Sequence, residues 1–188
     1  MNILAFTVSV LAMICTAWTA IYAGRAVERA RAAEKLAEAA LRFQVLLPAL
    51  LEYRTAEMLV AIRSLWHFAR ANPTNLQDAY KAQLDEDSRH LAELKGQEHL
   101  EYMRGTIDFY RRQVSQFYGF LTSVHDEGGM QRKWLYTHWN RSDLAIIPDV
   151  IVPMEQALGA TIGTPASPTT LDRLLRLYND SPKLPPHL

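Results

Sequence analysis

The stretch EHLEYMRGTIDFYRRQVSQFYGFLTSVHD (98–126) decides the fold of this chain. Within it Leu100, Met103, Ile107, Tyr110, Val114, Phe117, Leu121 and Val124 recur at alternating spacings of three and four. That period puts all of them on one face of an α-helix, so the stretch predicts a long helix forming the spine of a core. Gly128-Gly129 closes it, because glycine adopts the left-handed conformation in which helices end. Arg104, Asp108, Arg111 and Arg112 fall off the apolar seam, and Asp108 and Arg112 stand four residues apart, the spacing of a helical ion pair.

The flanks repeat the helical pattern. Upstream, Thr55 is placed to cap a helix running to Ala71, with Met58, Ile62, Leu65 and Ala69 on one face. Asn72-Pro73 ends it, since proline disfavours helix in the residue before it. A further helix over 76–94 carries Ala79, Tyr80 and Leu84, then an acidic patch, Asp85, Glu86 and Asp87, expected on a solvated face. Downstream, a short helix bears Trp134, Leu135 and Trp139. Ser142 or Asp143 then opens LAIIPDVIVPMEQAL (144–158), in which Pro148 and Pro153 start or kink helices. A Gly/Thr/Pro loop over 159–169 leads to a last helix capped by Thr170, with Leu171, Leu174, Leu175 and Tyr178 facing inward. Alternating β-branched runs are nearly absent, so residues 48–180 read as an all-α bundle, with 181–188 a flexible tail.

The N-terminal part reads differently. Residues 3–23, ILAFTVSVLAMICTAWTAIYA, form an uncharged run of 21 residues, about 31 Å as helix, which predicts a transmembrane helix. A cleaved leader fits less well, because no basic residue precedes the run and small residues do not stand three and one before a cut. Arg25, Arg29, Arg31 and Lys35 come directly after the run, so the positive-inside rule predicts an inner-membrane protein with its N-terminus outside and its helical domain cytoplasmic. Ala12, Thr16, Ala20 and Gly24 form a small-residue stripe suited to helix packing in lipid. Cys15 reads as an apolar filler. A juxtamembrane helix over 24–47 continues without Gly or Pro beyond its first residue. In it Ala26, Ala30, Ala33, Ala37 and Ala40 make a heptad-like seam open to a second helix.

Composition and motifs narrow the function. Twenty Lys and Arg balance twenty Asp and Glu, against the strongly basic footprint of a nucleic-acid binder, so no nucleic-acid partner is expected. One cysteine excludes a disulfide framework and multi-cysteine zinc modules. Phosphate-binding glycine loops and a G-x-S-x-G elbow are absent from the sequence, and no cofactor is expected. The nearest approach to a metal set is Glu86, Asp87, His90 and Glu93, with His90 four residues after Glu86 and three before Glu93 on one helical side, short of the convergent ligands a metal needs. His67 and His138, beside Trp66 and Trp139, read as packed histidines, and His125 as a side chain near a helix C-terminus.

At RRQVSQFYGFL (111–121), Gly128-Gly129, LAIIPDVIVPMEQAL (144–158) and LLRLY (174–178), the chain resembles small uncharacterised bacterial membrane proteins with one N-terminal span and a helical domain of unknown function. The resemblance implies a bacterial inner-membrane origin and carries no catalytic residues across. The expectation is therefore a protein-interaction or scaffold module that binds a protein partner or itself. The alternatives are a membrane-tethered enzyme or effector, using residues such as Glu86, His90, Glu93, Arg111 and Arg112, and an accessory subunit of a membrane complex.

Overall fold

The computed structural model describes residues 3–162 and 168–183; within the helices, the side chains of 3–12, 14, 15, 17, 41–43, 45, 129–131, 161 and 162 lie outside the description. The described chain is all-helical, without strands. It divides into two units, Met1–Leu47 and Pro48–Leu188.

The first unit holds a single element, most of helix α1 (Ile3–Tyr53). Every described side chain from Trp18 to Ala37 is exposed. Trp18 and Tyr22, one turn apart, stack with their ring centres 5.7 Å apart. Among the described residues no helix is long and apolar enough to cross a membrane. That overturns the reading of residues 3–23 as a transmembrane helix, and with it the single-pass inner-membrane placement with the N-terminus outside. Of the small-residue stripe, Thr16, Ala20 and Gly24 are exposed, and the side chain of Ala12, like that of Cys15, lies outside the described residues.

The second unit is a compact bundle. After the last turns of α1 come α2 (Ala56–Ala71), α3 (Leu76–Glu93), α4 (Gly96–Arg104) and α5 (Ile107–Asp126). Next in the chain are α6 (Gly129–His138), α7 (Arg141–Leu144), a π-helical segment (Ile147–Ile151), α8 (Val152–Ile162) and α9 (Pro168–Asn179). Helix α5 is the spine: α2, α6 and α9 pack on it, while α3 lies along α8. Its buried side chains include Val114, Phe117, Tyr118, Leu121 and Val124. Phe117 anchors an aromatic cluster, with Tyr53 stacked at 5.5 Å, Trp139 at 6.0 Å and Tyr118 edge-on at 5.4 Å. Such offset and edge-to-face pairs add about 0.5–1.5 kcal/mol each beyond the area they bury.

Local chemistry sets the helix ends. Thr55 accepts from the Met58 N–H and starts α2. The stretch 98–126, expected as one helix, is cut in two between Arg104 and Ile107, because Thr106 accepts from the Phe109 N–H and caps a new helix. An N-cap residue takes extended backbone angles, and Thr106 does, at φ −73° and ψ 150°. The seam keeps its spacing across the break but not its burial: Leu100 is 45% exposed. Asn140, rather than Ser142 or Asp143, caps α7, and Asp143 returns a bond to the Asn140 N–H. Pro148 falls in the first turn of the π-helical segment, where a missing N–H is tolerated. The extra residue rotates the next turn of the chain, and Val150, Ile151 and Val152 are buried in succession. Gly128, at φ +70°, makes the turn into α6. The last helix starts at Pro168, ahead of Thr170, and buries Leu174 and Leu177. Ser181 is buried too, and residues 184–188 of the expected tail lie outside the described residues.

Candidate functional site

Two polar constellations lie inside the second unit, and α3 contributes to both. The first centres on Arg111, which is 4% exposed. Its Nε donates to the Tyr80 hydroxyl at 2.7 Å and to Asp108 Oδ1 at 3.0 Å, its Nη2 to Asp108 Oδ1 at 2.9 Å, and its Nη1 to Glu155. The Tyr80 hydroxyl in turn donates to Asp108 Oδ1 at 2.6 Å, and Arg112 binds Asp108 Oδ2 at 2.8 Å. A planar guanidinium with donors at fixed angles suits such a junction, where a flexible ammonium does not. Three elements, α3 through Tyr80, α5 through Asp108 and α8 through Glu155, therefore meet on one charge.

The electrostatics follow from burial and pairing. Burial pushes the Asp108 carboxyl up, but hydrogen bonds from Tyr80 and Arg111 and the charges of Arg111 and Arg112 outweigh it and hold the group below the ordinary range. Burial alone would loosen the Arg111 proton; the facing Tyr80, Glu155 and Asp108 tighten it instead. The Tyr80 hydroxyl is raised far above the ordinary phenol value, first by burial and then by its bond to Asp108. Tyr80 and Arg111 thus keep their protons at neutral pH while Asp108 stays ionised. The network clamps helices together.

The second constellation centres on Asp87, on α3 and 6% exposed. Oδ1 accepts from Gln83 Nε2 at 3.0 Å and from the Tyr102 hydroxyl, on α4, at 2.9 Å. That bond is the main reason the Tyr102 hydroxyl is raised above the usual phenol value. Oδ2 is shut off from solvent and has no partner among the described residues. Asp87 and Thr106 stand between two cavities, an open cleft of about 740 Å³ and a pocket of about 310 Å³.

The residues singled out from sequence are distributed between these places. Arg111 and Arg112 meet at Asp108, whereas Glu86, His90 and Glu93 stay exposed on α3. His90 lies against the Tyr102 ring, 4.4 Å between centres. Among the described residues no group of three His, Cys, Asp or Glu side chains is placed to hold a metal ion. His125 is buried between Asp126 at 3.3 Å and Asp180 at 3.2 Å, a link from α5 to the end of α9. Sequence reasoning gave no site role to Tyr80, Glu155 or Tyr102, and it placed Asp87 on a solvated acidic face where the structure buries it. One signal was present for Asp87: Gln83 stands four residues before it, where an amide can reach a carboxylate along a helix.

The fold and its interior define an all-helical bundle tied by a buried ionic junction, with a second buried carboxylate left half-paired. No protein-family model, no curated protein and no solved structure matches the chain.

Proposed function

We propose that this chain is a protein-interaction module, a helical bundle carrying one long helix that pairs with the same helix of a second copy. The supporting observation is on α1. Ala26, Ala30, Ala33, Ala37 and Ala40 recur at spacings of four, three, four and three, and all are exposed. Among the described residues the first unit contains no second element. A helix in water draws most of its stability from packing one face, and small side chains at heptad spacing admit close backbone approach. Alanine is also the best helix former, so the seam has to be tested apart from helix content.

Disulfide trapping makes that separation. With Cys15 replaced by serine, Ala33→Cys puts a thiol on the seam and Lys35→Cys puts one about 200° around the helix. Pairing through the seam gives an oxidised dimer at position 33 and little at 35. A chain that sediments as a monomer and crosslinks equally poorly at both positions overturns self-pairing.

A further inference from the structure

We propose that the cleft between α3 and α4 is a binding site for a primary alkylammonium group, held by Asp87, Glu98 and Glu101. The starting point is the half-paired carboxylate. An ionised aspartate offers two oxygens and about four lone-pair positions, and among the described residues only Oδ1 finds partners, Gln83 and Tyr102. Leaving a buried charged acceptor without a donor is costly, and structures seldom keep one without a use for it. Asp87 lines the cleft of about 740 Å³ together with Gln83, Glu98, Glu101, Tyr102 and Thr106.

The charge of that wall selects the ligand. Three of its described lining residues are carboxylates and none is Lys, Arg or His. Such a surface concentrates cations and repels anions. A metal ion needs several convergent ligands, and the described residues supply no such group. An ammonium asks for less: one carboxylate to receive its N–H bonds, further negative charge around it, and apolar surface for its stem. Leu94 and Ile107 line the same cleft and provide that surface. Tyr102 both lines the cleft and holds Oδ1. Asp87 Oδ2 is shut off from solvent, so entry of the ammonium requires a lining side chain to move. The smaller pocket on the other side of Asp87 is lined by Arg112 as well as by acids, which makes it the poorer place for a cation.

The same chemistry comes from two sources, a free amine or a lysine side chain of another protein. Calorimetric titration of the full chain with 1,4-diaminobutane and with Nα-acetyl-lysine amide, at fixed ionic strength, distinguishes them. Saturable binding of either supports the site, and the tighter one identifies the source. Asp87→Asn is expected to weaken binding about tenfold or more, the scale of one lost charge-assisted bond. Tetramethylammonium, which has the charge but no N–H donor, is expected not to compete. Should Asp87→Asn fail to fold, the double change Glu98→Gln with Glu101→Gln, at two exposed positions, serves in its place and is expected to weaken binding severalfold. Absence of binding by both amines, unchanged affinity in the variants, or equal competition by tetramethylammonium overturns the proposal.

Discussion

Arg111 and Asp87 are both charged and both buried, and the second unit treats them in opposite ways. Around Arg111, Tyr80, Asp108 and Glu155 receive the guanidinium's bonds from three different elements. Around Asp87 one oxygen is paired and the other has no partner among the described residues. A buried charge that is fully paired is expensive to break, because removing either partner strands the other in a medium that cannot solvate it. A half-paired charge has already met that cost in the folded state. The first cluster therefore reads as architecture and the second as a place where stability has been given up, the pattern expected at binding sites.

The largest effect belongs to the paired side. Replacing Arg111 by Met keeps about the same volume and removes the charge, taking one donor from Asp108, which keeps its bonds from Tyr80 and Arg112, and the guanidinium bonds from Glu155 and the Tyr80 hydroxyl. The expected loss is about 3–5 kcal/mol of unfolding free energy, measured by urea denaturation. Tyr80→Phe, which removes one hydroxyl from the same junction, is expected to cost only about 1 kcal/mol. If Arg111→Met costs no more than Tyr80→Phe, the guanidinium is not the clamp.

Acid attacks the same junction more gently. Asp108 is held below its ordinary value in the folded chain. The stability it lends is therefore fully present above the unfolded carboxylate value of about 3.9 and is lost as pH falls through the lower folded value. Unfolding free energy is expected to stay level from neutrality to about pH 5 and to drop below about pH 4. Asp126 is depressed as well, mainly by its bonds from Arg173 and His125 working against burial, so the wild-type curve alone does not assign the loss. Asp108→Asn flattens the acid limb if the junction carries it; a limb equally steep in that variant assigns it elsewhere.

The paired cluster was half legible in the sequence. Spacing alone placed Asp108 within reach of Arg112, since a helix brings residues four apart together. It carried no sign that Arg111 would turn inward, because the partners that draw it there, Tyr80 and Glu155, are 31 and 44 residues away. The helices themselves were legible wherever a cap or a breaker marked them, as at Thr55, Asn72-Pro73 and Gly128. The break inside 98–126 was hidden because the three-four spacing runs through it. Thr106 signals a start only when its side chain is known to accept from Phe109. The acidic patch showed the limit of composition. Asp85, Glu86 and Asp87 are consecutive, yet only Asp87 is buried, since neighbours on a helix point about 100° apart.

Asp87→Asn gives the smallest expected effect on stability and the sharpest contrast with Arg111. Asparagine keeps an oxygen to accept from Gln83 and Tyr102 and removes the buried negative charge. Its amide puts an NH2 group, with two N–H donors, where Oδ2 stood, and an unpaired neutral group costs less than an unpaired charged one. The change should therefore leave stability unaltered or raise it by about 1 kcal/mol, against the several lost at Arg111. Urea denaturation of the two variants side by side reads the difference directly. A loss at Asp87→Asn comparable to that at Arg111→Met would mean that the Asp87 charge is paired after all, and the two clusters would then be one kind of structure rather than two.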